Sequence, residues 1–410
     1  MQKVIKVKGL ADVDNGVLVE NSFMIIEGEI IRAIGRQADM PGLDPMAEIH
    51  DYSDNFALPG LVNSHAHLCL PADGRPLGTL PSQSDEVWLL TAAANARLSL
   101  MSGVTTLRDC GDMHGVTFGL RTAIELGITK GPRLILSGPP MTMTGGHAWC
   151  WGLEADGTEE ITKATRQQLK HGADFIKLMA TGGGTPGSYP GSASYSIPEL
   201  AAAVEVAHRI GKTVATHCRG IPGMENTIAA GVDQMEHGCC ELPDGTLKFD
   251  PRLAEKMADA GMYVTPTIQL YRDWIVGINQ KKQEGDITPE EEERLQRMPY
   301  SFEEKLKALN GFLAAGVRCV AGNDAGLPFT RFDQFWQELD AMVEGGMTSM
   351  QAIVAATKTP AEAMNLAQTI GSLEVGKQAD IIIVDEDPTV NVRALSNVSF
   401  VMRAGEIYRQ

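Results

Sequence analysis

The sequence predicts an α/β fold: a (β/α)8 TIM barrel joined to a small discontinuous β-sandwich domain formed by the N- and C-terminal segments. Three observations lead there. From Leu58 to residue 367, eight short apolar strand candidates alternate with amphipathic helical stretches over roughly 300 residues, enough for eight βα units to close into a barrel. On either side of that region lie dense short strands with little helical periodicity. No Gly-x-Gly-x-x-Gly follows the first alternating strand, which disfavours an open doubly wound sheet.

Before Leu58 the strand candidates are Val4–Val7, Val17–Glu20, Ser22–Ile26 and Glu29–Ile34, separated by Asp14-Asn15-Gly16, Asn21 and Glu27-Gly28. The barrel strands are expected at Leu61–His65, Val104–Asp109, Arg133–Ser137, Phe175–Met179, Thr213–His217, Gln234–His237, Tyr263–Pro266 and Arg318–Gly322. Between them lie helical stretches such as Val87–Met101, Glu159–His171, Ile197–Ile210, Asp250–Ala260 and Pro289–Ala315. Thr288-Pro289-Glu290-Glu291 is a strong helix start, with a capping Thr, Pro at the first position and Glu three after the cap. The polar region from Tyr271 to Ala315 reads as an extended connection after the seventh strand, either a lid over the barrel mouth or a solvated helical face. A helix over Met350–Ala367 precedes strands at 379–384, Val398–Met402 and Glu406–Tyr408. These late strands supply partners for the early ones. The expected division is 1–57 plus 368–410 for the small domain and 58–367 for the barrel.

Composition narrows the function. A net charge of -17 argues against nucleic acid, whose phosphates need a basic surface. No run approaches the roughly 18 apolar residues that span a bilayer, so no membrane association is expected. The strand-like alternation from Gln2 to Val7 predicts no secretory leader. Seven scattered cysteines without a Cys-x-x-Cys pair read as reduced thiols of a cytoplasmic protein. The expected partner is a small-molecule substrate, and homo-oligomerisation is compatible with this reading.

The chemistry begins in Leu58-Pro59-Gly60-Leu61-Val62-Asn63-Ser64-His65-Ala66-His67. Side chains alternate along a strand, so His65 and His67 face one way. Either alone reads as an ordinary strand-end histidine. The ends of the other candidate strands change that reading, because barrel enzymes place their reactive groups there. Strand four gives Lys177, strand five His217, strand six His237 and strand eight Asp324. Four imidazoles, a lysine and a carboxylate can hold two divalent metals: His65, His67 and Asp324 the first, His217 and His237 the second. Zinc is the default for so histidine-rich a set, and manganese, cobalt and iron bind similar ones. A buried lysine has a lowered pKa, and its neutral amine can take up CO2 as a carbamate that bridges two metals. The plain alternative for Lys177 is a salt-bridged lysine inside the barrel. A metal-activated water with Asp324 as general base and acid makes the reaction a hydrolysis of an amide or ester-like bond.

These features together resemble the amidohydrolase superfamily: the Leu58–His67 opening, the strand-end ligands and the tail Gly371-Ser-Leu-Glu-Val-Gly376-Lys-Gln-Ala-Asp380. Within it, Gly103-Val-Thr-Thr-Leu-Arg-Asp109, Thr144-Gly145-Gly146-His147 and Phe175-Ile-Lys177-Leu-Met-Ala-Thr-Gly-Gly183 resemble the prolidase-like, carboxylated-lysine branch. That resemblance implies a dipeptidase or carboxypeptidase-like enzyme cutting Xaa-Pro or Xaa-Arg/Lys dipeptides or N-acyl amino acids, with His147 facing the substrate carbonyl. One departure stands out. Where such dipeptidases often read His-Ala-Tyr, this chain reads His217-Cys218-Arg219. Arg219 either clamps a substrate carboxylate or pairs with an acidic residue. The loop from Thr185 to Tyr195 is suited to lining the pocket, and Trp149 and Trp151 are either an apolar wall beside His147 or core.

Three rivals are carried forward. Hydrolysis of a carbamate, urea or lactone would use the same site. A mononuclear-metal deaminase is disfavoured by Lys177 and by Gly220, where many of those enzymes have Glu. A non-enzymatic scaffold is disfavoured because every expected ligand is present.

Overall fold

Residues 2–75 and 83–410 are described in the computed structural model. The strands are β1 (Gln2–Asp12), β2 (Val17–Glu27), β3 (Ile30–Arg36), β4 (Glu48–Pro59), β5 (Leu61–Ala66), β6 (Val104–Asp109), β7 (Arg133–Leu136), β8 (Met141–Thr142), β9 (Leu153–Glu154), β10 (Phe175–Met179), β11 (Thr213–Gly220), β12 (Gln234–Glu241), β13 (Tyr263–Thr265), β14 (Arg318–Cys319), β15 (Ile381–Val384), β16 (Val398–Arg403) and β17 (Glu406–Arg409). The helices are α1 (Asp85–Met101), α2 (Val116–Glu125), α3 (Gly157–Lys170), α4 (Ile197–His208), α5 (Ile221–Ala229), α6 (Pro251–Asp259), α7 (Gln269–Glu284), α8 (Pro289–Ala315), α9 (Trp336–Glu344), α10 (Ser349–Ala355) and α11 (Lys358–Ala363).

The chain is α/β with parallel sheet. One parallel sheet runs β5-β6-β7 and a second β14-β13-β12-β11-β10-β8-β9. Every residue of β5, β6, β10 and β12 is buried, as expected of parallel strands covered on both faces. Backbone bonds join the two sheets at both edges. Asp174 N–H donates to Leu136 O at 2.7 Å on one side; on the other, Ser64 N–H donates to Ala321 O at 3.0 Å and His67 N–H to Ala325 O at 2.8 Å, beside a bridge between Ala66 and Ala325. Among the described residues no strand ladder links the two sheets.

All eight strands expected in the alternating region are present, two with the expected bounds (Val104–Asp109 and Phe175–Met179) and six with shifted ends. The last is shorter than its sequence suggests, Arg318–Cys319 in place of Arg318–Gly322. Beyond it the chain runs as loop alongside β5, with Asp324 N–H donating to His65 O at 2.9 Å. Asp324 therefore follows the strand rather than ending it.

The N- and C-terminal strands share a third sheet, ordered β17-β16-β15-β4-β1-β2-β3. Its β15 shows how period-two alternation divides labour. Ile381 and Ile383 enter the small core with Ile5, Val7 and Phe400, while Ile382 and Val384 enter the large core beneath the parallel sheets. Two expected strands, Val17–Glu20 and Ser22–Ile26, form one strand. Asn21 does not end it: it steps out of the ladder at φ 50°, between the pairs Ser22–Val7 and Glu20–Gly9. Asn tolerates that conformation because its short side chain bonds locally. The sequence reading missed β4, whose first half is studded with exposed Glu48, Asp51 and Asp54. Yet β4 is central, parallel to β1 and antiparallel to β15.

The helix expected over Met350–Ala367 is broken in two. The Thr357 hydroxyl donates to Ile353 O at 2.7 Å, and Thr357 leaves helical geometry with ψ −80°. Pro360 then fills the first turn of α11, where its missing N–H is harmless. The start of α8 is as expected: Thr288 and Glu291 form a reciprocal capping box with Pro289 at the first position.

Only Gly60 separates β4 from β5, so it sets how the small sheet delivers the histidine strand. Its N–H donates to Asp380 O at 2.9 Å. A Cβ at Gly60 would lie 2.2 Å from Thr105 Oγ1 and 2.4 Å from its Cγ2. Asp380 ties the same junction by pairing with Arg133 and accepting from Ala404 N–H, each at 2.7 Å. Gly60→Ala is therefore expected to destabilise the protein by about 2 kcal/mol through overpacking, read as a lower urea midpoint at unchanged slope.

Candidate active site

The parallel strands bring every expected ligand to one end. His65 closes β5, with His67 just beyond, Lys177 lies on β10, and His217 and His237 lie on β11 and β12. Asp324 follows β14, and all six are buried. Asp324 Oδ1 stands 3.3 Å from His65 Nε2 and 3.4 Å from His67 Nε2. The ring centroids of His65 and His237 are 5.2 Å apart, and those of His217 and His237 4.5 Å. His237 at φ 72° and Asp324 at φ 60° occupy the left-handed region, a conformation that costs on the order of 1–3 kcal/mol per non-glycine residue and is concentrated at functional sites.

One ring nitrogen of each histidine is already engaged. His65 Nδ1 donates to Glu236 at 3.0 Å, and His67 Nδ1 to the Gly111 carbonyl at 3.0 Å. His237 Nδ1 bonds the Thr267 hydroxyl at 2.9 Å. His217 differs, engaging Nε2 with the Gly182 carbonyl at 3.1 Å. An imidazole so held offers its other nitrogen as a lone pair. Burial is the main influence that pulls His65, His217 and His237 below the ordinary histidine range, and it keeps them neutral.

Lys177 Nζ is buried among these rings and makes no hydrogen bond among the described residues. Buried amines are normally partnered, so this cavity is built for something more than protein atoms. Burial works against the charge of Asp324. His65 and His67, followed by Lys177, outweigh it and hold the carboxyl below its usual range. His65, His67 and Asp324 together have the spacing of a metal-binding group.

His147 lines the same cavity, its ring 4.3 Å from that of His217. Thr185 Oγ1 accepts from Ala148 N–H at 2.9 Å and hydrogen-bonds His147 Nδ1 at 2.8 Å, which fixes the ring. Burial, and after it the charge of Arg219, pulls this imidazole down to about 3, so it is neutral near pH 7. Trp151 is buried with its edge against His67, whereas Trp149 is half exposed and forms no wall here. From the glycine-rich loop, Pro190 reaches the cavity.

Arg219 lines the cavity and is paired with an acidic residue, its Nε donating to Glu241 at 2.6 Å. The cavity, about 350 Å³, is completed by residues that the sequence reading did not single out: Tyr271 and Trp274 of α7, and Arg294, Arg297 and Met298 of α8. The Tyr271–Ala315 region thus covers the mouth with a helical hairpin. Lys305 of α8 is buried and donates to the His237 carbonyl at 2.5 Å, which couples the hairpin to the site.

A second missed group lies beneath. Glu236 bonds His65 and pairs with buried Arg108, which also donates to Gln234 Oε1 at 2.8 Å and to Ser64 O at 2.7 Å. Glu236 sits next to His237 in sequence, and both side chains reach His65 because His237, at φ 72°, departs from strand alternation.

Parallel strands delivering four imidazoles, a lysine and a carboxylate into one cavity define a class, hydrolytic α/β enzymes. The amidohydrolase family model matches residues 56–409, and the chain belongs to that family of C–N bond hydrolases. An ochratoxinase from Aspergillus niger is 27% identical over 438 residues, spanning 98% of this chain and 85% of that protein. A crystal structure of a Xaa-Pro dipeptidase with methionine bound in its active site superposes with a TM-score of 0.87 at 29% identity, covering 100% of both chains. The crystal structure of A. niger ochratoxinase does so with a TM-score of 0.82 at 26% identity, covering 100% of this chain and 96% of that one.

Glu236→Gln would leave Arg108 buried without its counter-charge. The expected loss of stability is about 3 kcal/mol, measured by urea unfolding, and Arg108→Met alone should be comparably harmful. A change below ~0.5 kcal/mol in both would show that the pair is not structural.

Proposed function

We propose that this enzyme hydrolyses the amide bond of a dipeptide or N-acyl amino acid, with Asp324 as general base and acid. The observation that carries the reading is the set of four imidazoles, each with one nitrogen fixed and the other free, around Lys177 Nζ and Asp324. The similarity to a Xaa-Pro dipeptidase and an ochratoxinase supports an amide as the bond cut. The eight parallel strands that alternate with helices are read as a closed (β/α)8 barrel over residues 58–367. Segments 1–57 and 368–410 are read as one small β-sandwich domain. Free cysteines, six of the seven buried, support a cytoplasmic enzyme. The partner is the substrate itself.

The donor set fits two divalent metals, most simply zinc. His65, His67 and Asp324 would hold one, and His217 and His237 the other. Lys177, carboxylated by CO2, would bridge them, which gives its unpartnered Nζ a role. When bound, the metals would lower the pKa of water and polarise the carbonyl. The remaining steps fall to the chain. Asp324 accepts the proton of the attacking water and passes it to the leaving nitrogen. His147 donates from Nε2 to the carbonyl oxygen as it becomes negative, and being neutral it does so without changing charge. Glu236, with Arg108 behind it, holds His65 in one tautomer and orientation. The α7–α8 hairpin limits access of bulk water.

The deciding experiment is a product assay by mass spectrometry on zinc-supplemented protein, using dipeptides, N-acyl amino acids, carbamates, ureas, lactones and nucleobases. A released amino acid supports the proposal. Ammonia from a ring substrate would move the enzyme among the deaminases, and turnover of carbamates, ureas or lactones alone would discard the amide assignment. Asp324→Asn should fold normally and lose about 10³-fold in turnover; near-normal rates would require a different base. Lys177→Ala should bind less metal by elemental analysis and recover part of its activity with a short carboxylic acid. Full metal loading in that variant would refute the carbamate.

A further inference from the structure

The outer half of the cavity is cationic, and its charges do not cancel. Arg219, Arg294 and Arg297 line it, and the facing carboxylate is Glu241. Glu241 engages Arg219 through Nε alone. The two terminal nitrogens of that guanidinium make no hydrogen bond among the described residues. Arg297, at the exposed rim, has Glu293 at 3.3 Å.

Arg294 is the unusual member. It is half-buried and has no acidic partner among the described residues. The acids around it are already committed. Glu291, one turn earlier, is held by Lys281 at 2.5 Å and by the Thr288 cap. Glu292 pairs with Lys282 at 3.1 Å. Asp273 of α7 is taken by the Gln269 amide at 2.7 Å. The Arg294 guanidinium lies over the Trp274 ring, 4.1 Å from its centroid, a cation–π contact that holds it against α7. Burial, and after it repulsion from Arg219 and Arg297, draws Arg294 below its ordinary range. An arginine placed in this way is relieved by an incoming anion.

Two guanidinium forks with unused donors imply two carboxylates. Arg219, two residues after His217, is the nearer to the reacting end, and Arg294 comes from the covering helix. We infer that Arg219 and Arg294 form a dianion subsite, so that the amine released is an amino acid with an acidic side chain. Its α-carboxylate would meet Arg219 and its side-chain carboxylate Arg294. The substrates are then Xaa-Glu or Xaa-Asp dipeptides, or the corresponding N-acyl amino acids. This assignment rests on the amide-hydrolase reading above and adds the identity of the leaving group.

The test compares Ala-Glu with Ala-Gln, which match in size and differ in charge. Zinc-loaded wild-type enzyme should favour Ala-Glu by about 30-fold in kcat/KM, the value of one charge-assisted pair. Arg294→Glu should reverse the preference towards Ala-Lys. Equal rates on Ala-Glu and Ala-Gln, or an acid preference that survives Arg294→Glu, would overturn the inference while leaving amide hydrolysis intact. Calorimetric binding of L-glutamate and L-glutamine to the wild-type enzyme reads the subsite without turnover and without a variant. Glutamate should bind at least about 10-fold tighter. Selective glutamate binding with no peptide cleaved would keep the subsite and reject the hydrolase reading. Equal or absent binding of both amino acids would reject the subsite.

Discussion

Taking an amine out of water without giving it a partner is costly, and Lys177 Nζ is in that position. It is buried at the meeting point of four histidines and an aspartate. Neighbouring charge matters as much as burial here. Were the imidazoles protonated, they would repel one another and the lysine. Burial instead draws His65, His217 and His237 below the ordinary histidine range, while His65, His67 and Lys177 hold the Asp324 carboxyl below its usual range against the effect of burial. The result is a cluster of lone pairs and one carboxylate directed at a common volume. Much of the rest of the molecule holds that cluster open.

The holding is done from outside the cavity. Strands β5, β11 and β12 fix where the rings begin, and the acceptors Glu236, Gly111 O, Gly182 O and Thr267 fix how each ring turns. Two of these four acceptors are backbone carbonyls, which cannot be removed by mutation and scarcely move. The side-chain acceptor beneath His65 is more demanding, since Glu236 is a buried charge. It is tolerated because Arg108 lies against it and is itself satisfied by Gln234 and Ser64 O. A buried pair of this kind is a poor source of stability. Its value is geometric, in that a single tautomer of His65 fits.

The division between what was legible in the sequence and what was not follows from the range of the interactions. The strands could be read because burial on both faces produces continuous apolar runs. His65, His67, Lys177, His217 and His237 could be read because each lies on or just after a strand that is legible in the sequence, a one-dimensional position. Asp324 was found although the strand before it was misjudged: the loop after Cys319 runs beside β5 through tertiary hydrogen bonds that leave no periodic trace. β4 was missed because its solvent-facing charges hide the alternation, and the break at Thr357 because a hydroxyl competing for a backbone carbonyl is a local choice that hydrophobic pattern does not record. The hairpin residues Trp274 and Arg294 could not have been assigned. A polar helix shows which residues share a face, but not which cavity that face will cover.

The same distinction governs charge. The chain is strongly acidic, at -17, and from that figure alone an anionic small molecule would be an unexpected guest. Net charge describes the field far from the surface, where salt screens it within about 10 Å. Inside a cavity with low-dielectric walls, the few nearest groups decide. Here Arg219, Arg294 and Arg297 face Glu241, while acidic residues such as Asp51, Asp54, Glu290, Glu292 and Glu293 are exposed on the outside. An acidic exterior and a cationic pocket are therefore compatible. The two describe different places: the charge of the exterior is a sum over the whole chain, and the pocket is set by the arginines that line it.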